Sequence, residues 1–139
     1  MSVLFPSLEF FTALQEGMAE NPASTEDIEP SEAYCGLDID DDLFVLEFDG
    51  RACSAVVPGG NPLDLDFVLA ASAETWQETI TSIVENAGAD SQHTLAALVD
   101  KGTIEVRSET DHGPDLARAA LGMLQAFLDQ AKRLDIAFG

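Results

Sequence analysis

The first 32 residues divide into a helical segment and a polar segment. Apolar residues follow the period of a helix from Leu8, and Pro6-Ser7 before them is typical of a helix start, because a Ser hydroxyl can cap a free backbone N–H. We expect this helix to end between Gly17 and Asn21. The next stretch, residues 21–32, holds two prolines and four acids without a regular period. It is predicted to be an exposed loop.

Alternation with a period of two begins near Tyr34 and predicts strands. Residues 43–48 alternate around an apolar face, Asp49-Gly50 favours a tight turn, and residues 51–57 return as a second strand. Residues 65–71 are a third apolar run of strand length. We expect these three strands to form an antiparallel meander.

The second half of the chain is mainly helical. Ser72 is a predicted N-cap for a helix that carries Trp76, a shorter helix runs from about Ser91 to a left-handed cap at Gly102, and residues 103–107 form a short strand. A long helix begins at Pro114. Leu121 and Leu128 widen its apolar arc, so it must contact something on two sides. The sheet accounts for one side, and the other is left to a neighbouring helix, a second subunit or a lipid-like ligand.

Composition and charge narrow the class of protein. The chain has 139 residues, 46% of them hydrophobic, and carries 26 acidic against 6 basic side chains for a net charge of -20. This length predicts one α+β domain over residues 1–139. The charge excludes nucleic acid as a partner and disfavours anionic membranes. No apolar run approaches the ~18 residues of a membrane span, and the N-terminus lacks a cationic leader, so we expect a cytoplasmic protein without stable membrane insertion.

The acidic residues are unevenly distributed. Residues 1–50 contain 13 of the 26 carboxylates and no Lys, Arg or His. One face should therefore be strongly negative, which fits either a salt-rich cytoplasm or a cationic protein partner.

The residues that could carry catalysis favour structural explanations. His93 and His112 have no Ser or Cys beside them that would suggest a nucleophile pair, and residues 38–42, although acidic, lack the Gly and distal Glu of a calcium loop. Glu47, Asp66 and Glu105 each lie within a predicted strand and are predicted to face outward. We therefore predict no catalytic residues, no metal site and no cofactor.

Cys35 and Cys53 lie on opposite sides of a predicted turn and could pair across strands. Reduced thiols are the favoured state.

Four segments taken in order resemble the sterol carrier protein 2 (SCP2) family over nearly the whole chain. They are Pro6-Ser7-Leu8-Glu9-Phe10-Phe11, Phe48-Asp49-Gly50-Arg51, residues 66–76 and Lys101-Gly102-Thr103-Ile104-Glu105-Val106. The third is the most specific, because a strand with an Asp-aromatic pair runs directly into a Ser-capped helix with Trp76 in its first turn.

The resemblance implies a mostly antiparallel five-stranded sheet covered by helices, with a hydrophobic tunnel or cavity. It implies non-catalytic binding and intracellular carriage of a sterol or steroid, a fatty acid or an acyl-CoA. The residues expected to line the tunnel are Phe11, Leu14, Phe67, Leu69, Trp76, Ile80, Met123 and Phe127.

Two other functions stay open at this point. An acidic interaction module, such as a chaperone or inhibitor of a basic partner, would use the carboxylate surface, and an enzyme of the cone-shaped α+β barrel type would enclose a similar pocket. A void under the last helix is expected of a carrier and not of an interaction module. Both a monomer and a homodimer remain compatible with the sequence.

Overall fold

A computed structural model of the chain describes residues 3–5, 7–21, 26, 31–40, 42–50, 52–59, 65–86, 94–108 and 113–138. The predictions made for Pro6, Arg51, His93 and His112 and for a helix start at about Ser91 lie outside these residues, as does most of the loop predicted at residues 21–32. The last two residues of that predicted loop, Ser31 and Glu32, instead begin a strand. The elements are β1 (Val3–Phe5), α1 (Leu8–Glu20), β2 (Ser31–Ile39), β3 (Asp42–Gly50), β4 (Ala52–Pro58), β5 (Phe67–Ala71), α2 (Ala73–Asn86), α3 (Leu95–Asp100), β6 (Glu105–Arg107), α4 (Gly113–Asp129), a 3-10 turn (Gln130–Arg133) and β7 (Ile136–Phe138).

Five of the strands form one sheet in the order β4-β3-β2-β5-β6. The β2–β3, β3–β4 and β5–β6 pairs are antiparallel, whereas β2 and β5 are parallel. The α+β fold with a mostly antiparallel five-stranded sheet is therefore confirmed. The predicted meander is wrong in one respect: β5 lies beside β2 and not beside β4. After β4 the chain must cross to the opposite side of β2 and β3.

Two strands lie outside this sheet and were not predicted. β1 and β7 form a parallel pair in which Val3 is opposite Ile136 and Phe5 is opposite Phe138. Each has three residues, which is too short for a period of two to be visible in the sequence.

Local signals fix the helix ends close to where they were expected. The Ser7 hydroxyl accepts a hydrogen bond from the Phe10 N–H at 3.1 Å, and the Ser72 hydroxyl accepts one from the Thr75 N–H at 3.2 Å. Gly102 follows α3 with a φ of 76°, in the left-handed region that suits Gly. These caps satisfy backbone donors and acceptors that a helix leaves unpaired at its ends.

The helices cover one face of the sheet, and α4 lies at the centre of this layer. It packs against β2, β5 and β6 on one side and contacts α1, α2 and α3 on the others. Leu128 is buried, whereas Leu121 is half-buried at the side of α4. Neighbouring helices therefore cover most of the second side of α4, and the remainder is open at Leu121.

The opposite face of the sheet carries a smaller apolar cluster of Leu43, Val45, Leu65 and Val68. Gly36 of β2 lies beneath it. A Cβ atom at Gly36 would stand 2.7 Å from Leu43 Cδ1 and 2.9 Å from Leu65 Cδ1, so these side chains occupy the space that a larger residue would need.

Candidate functional site

The eight residues predicted to line a tunnel lie in one continuous hydrophobic core. They come from α1, β5, α2 and α4, and each exposes 1% or less of its surface. That they line a tunnel for a ligand stays a prediction. The eight side chains are closely surrounded by other core residues, and none of them lines the groove described next.

An apolar groove of about 390 Å³ lies between α3, β6 and α4. Its lining residues are Ala96, Val99, Asp100, Val106, Ala117, Arg118 and Leu121. Val99, Val106 and Leu121 also pack against the main core, so the groove opens directly onto it. Its volume lies within the range of about 300–1,000 Å³ found for small-molecule sites.

The groove exists because small side chains stand where the two helices face each other. Ala117 and Leu121 are four residues apart on α4 and therefore share one face, and Ala96 and Val99, three residues apart, share a face of α3. Val106 closes the third side from β6. The two alanines leave the volume that longer side chains would fill.

Hydrogen bonds fix α3 in position against α4. The Gln125 Oε1 atom accepts a bond from the Leu95 N–H at 2.7 Å, and the Gln125 Nε2 group donates to Asp129 Oδ1 at 2.9 Å. The Thr94 hydroxyl caps the same end of α3 by accepting from the Ala97 N–H at 3.2 Å. The two helical walls of the groove are thus connected by one side-chain hydrogen bond to backbone, whose ends are held by two local bonds, and we expect the groove to be pre-formed.

Two charged side chains stand at the rim of the groove. Asp100 on α3 and Arg118 on α4 are both exposed lining residues. The described residues offer neither of them a salt-bridge partner. Arg107, by contrast, points to the opposite face of the sheet, where its guanidinium lies 3.4 Å from Asp38 and 3.3 Å from Glu105.

The acidic segment at residues 38–42 covers the end of β2, a turn at Asp40 and the start of β3. Asp38 belongs to β2, its backbone carbonyl accepts a hydrogen bond from Trp76 Nε1 at 2.9 Å, and Asp40 adopts a φ of 49°. Across the part of the chain that the structure describes, His, Cys, Asp and Glu side chains form no group that could hold a metal ion.

The two cysteines are free and buried. On β3, Leu46 is opposite Cys35 and Phe48 is opposite Cys53, so a whole strand separates the two cysteines. Strands about 4.8 Å apart then place their Cα atoms roughly 9–10 Å from each other, beyond the ~7 Å that a disulfide spans. Burial raises the pKa of both thiols, that of Cys53 to about 11.

Sequence reasoning missed most of the groove. Ala96, Val99, Val106 and Ala117 are small or ordinary apolar residues and carry no motif. One signal did point to it, because Leu121 was the residue that widened the apolar arc of the last helix.

No family model and no curated protein matches this chain. Structural neighbours do match. A crystal structure of sterol carrier protein 2 is similar with a TM-score of 0.67 and 16% sequence identity, over 90% of this chain and 95% of that one. A conserved hypothetical protein from Thermus thermophilus, described as possibly a sterol carrier protein, is similar with a TM-score of 0.70 and 16% identity, over 92% of this chain and 87% of that one.

The described helices include none that is both long and apolar enough to span a membrane. The five-stranded sheet, the helical layer on one face and the two structural neighbours agree with the expectation drawn from the four sequence segments. The chain therefore has the SCP2 fold.

Proposed function

We propose that this protein binds an apolar lipid and carries it inside the cell without changing it chemically. The observation that carries the proposal is the apolar groove between α3, β6 and α4, which adjoins the core. The structural neighbours give independent support, since one is a sterol carrier protein and the other is described as a possible one.

The groove offers enough apolar surface for useful affinity. Removing about 300 Å² of ligand surface from water at ~25 cal/mol/Å² contributes about 7–8 kcal/mol. Part of this is lost to the entropy of association, so a Kd of about 10 μM to 1 mM is the expected range for a lipid that fills the groove alone, and contact with further residues would tighten it. The strongly negative protein should receive its ligand from another protein rather than from an anionic bilayer, because the field repels such a surface.

The eight core residues named above are proposed as the inner end of the same site. Met123 and Phe127 lie on the helix that also carries Ala117 and Leu121, in the core that Leu121 packs against, so a lipid tail that reaches beyond the groove would have to displace Leu121 and enter this core. Trp76 belongs to this group and is the chain's single tryptophan. Its fluorescence therefore reports on whether a ligand reaches the inner residues.

The experiment is native mass spectrometry of the purified protein, followed by organic extraction of any bound molecule and titration with added steroids and fatty acids. We expect an adduct of a few hundred daltons that a competitor displaces. A protein that never retains or binds a lipid would contradict the proposal.

A pair of variants tests whether the groove is the site. Ala96→Trp places a large ring in the groove from an exposed helical position and should weaken lipid binding at least tenfold. Ala19→Trp makes the same change at an exposed position of α1, away from the groove, and serves as the control. Equal affinities of the two variants would exclude the groove as the entry to the site.

A further inference from the structure

We propose that the ligand carries an anionic head group and that Arg118 is the residue that recognises it. This inference rests on the proposed function, because it names the class of lipid that the groove accepts. It starts from the composition of the chain. Only six side chains are basic, and Arg118 is the one basic residue that lines the groove among the residues described.

Arg118 is also available for an external partner. Arg107 is engaged by Asp38 and Glu105, whereas Arg118 has no salt bridge or side-chain hydrogen bond with the described residues. A guanidinium presents a planar set of donors that matches a carboxylate or phosphate in a bidentate arrangement. An arginine without a partner among the described residues, beside an apolar groove, fits the anionic head group of an amphiphile whose alkyl chain lies on Val99, Val106 and Leu121.

Asp100 on the facing helix acts in the opposite direction. Because the chain has 26 acidic residues, a single carboxylate at the rim gives no evidence of a cationic ligand. The negative charge of Asp100 nevertheless lowers the affinity for an anion that Arg118 binds. The two rim residues therefore predict effects of opposite sign on one ligand. Neither should affect an uncharged ligand of the same chain length.

The test compares dodecanoate with 1-dodecanol by isothermal titration calorimetry at pH 8 and 0.15 M NaCl, where the carboxylate is ionised. Arg118→Gln should weaken dodecanoate binding by a factor of about 2 to 5, as expected for an exposed ion pair. Asp100→Asn should strengthen it by a similar factor. Neither variant should change the affinity for dodecanol by as much as twofold.

Arg133→Gln provides the matched control. It removes one positive charge from an exposed position on the 3-10 turn, outside the groove, and should change the affinity for either ligand by less than twofold. Raising the salt to 1 M shortens the Debye length from ~8 to ~3 Å and should shrink the effect of Arg118→Gln.

The outcomes separate this inference from the proposed function. Loss of affinity for both ligands in Arg118→Gln would show that the Arg118 side chain only packs against the alkyl chain of the ligand. An unchanged affinity for dodecanoate would show that Arg118 does not recognise the carboxylate. Either result overturns the inference while lipid binding stands. A wild-type protein that binds neither dodecanoate, dodecanol nor any added steroid overturns both.

Discussion

The contact between Phe48 of β3 and Phe127 of α4 tests the central packing of this fold. The ring centroids are 5.7 Å apart with the planes at 89°, an edge-to-face geometry, and both side chains are buried. Such pairs contribute about 0.5–1.5 kcal/mol beyond the burial of their area. Replacing one ring by Leu also leaves a void of roughly 25 Å³, which costs about 0.6 kcal/mol at ~24 cal/mol/Å³. Each single variant, Phe48→Leu or Phe127→Leu, should therefore lower the free energy of unfolding by about 1–2 kcal/mol.

Urea denaturation of the wild type, both single variants and the double variant measures the coupling between the rings. We expect the double variant to be less destabilised than the sum of the single variants by about 0.5–1.5 kcal/mol. Phe138→Leu is the control, because Phe138 also meets an aromatic ring, that of Phe5 at 5.9 Å, but is 41% exposed. It should change stability by less than about 0.5 kcal/mol. Strictly additive single effects would refute the direct contact between the rings of Phe48 and Phe127.

Two further predictions concern glycines and thiols. Gly36→Ala should destabilise the protein by about 1–2 kcal/mol, because two leucine side chains must move away from the new Cβ. Gly17→Ala should stabilise it by about 0.5–1 kcal/mol, because Gly17 lies within a helix and its new Cβ would meet Gln130 Cβ at an acceptable 3.4 Å. Urea midpoints measure both changes, and effects of the same sign would contradict the packing around Gly36. Cys35 and Cys53 should react with a thiol reagent at pH 8 only after unfolding. Their pKa values are raised from an ordinary 9.0, so above pH 9 the unfolded chain loses protons that the folded protein keeps, and stability measured by urea denaturation should fall between pH 9 and about 11. Fast reaction of the native thiols, or stability that does not fall over this range, would contradict the burial of the thiols.

Local signals were sufficient for the helices and for the hairpin. Ser7 and Ser72 predicted two helix starts, because an N-cap depends on side chains within one turn of the chain. Asp49-Gly50 predicted the β3–β4 connection for the same reason. Each of these features is decided by residues close together in sequence.

Strand order was not predictable in this way. The apolar run at residues 65–71 predicts a strand but does not identify its neighbour. The parallel pairing of Cys35 with Phe67 joins strands about thirty residues apart, and only the packing of the whole sheet decides it. The meander was the simplest expectation for consecutive strands, and the crossing from β4 to β5 has no local signature.

The candidate site was predictable only in part. The inner residues, such as Trp76 and Phe127, were identified from apolar periodicity and the family resemblance, which mark buried positions and do not distinguish a ligand wall from a core. The groove depends on what two helices leave unfilled. Ala96 and Ala117 matter through their small size, and this becomes visible only when both helices are in place.

The β1–β7 pair has a mechanical consequence. Because Val3–Phe5 and Ile136–Phe138 run in the same direction, a pull on residue 3 against residue 138 acts along the strands and loads their hydrogen bonds together. An antiparallel pair at the same place would open one bond at a time from its end. Force applied through these two strands should therefore first have to shear this pair, and only afterwards would it reach the helices that enclose the groove.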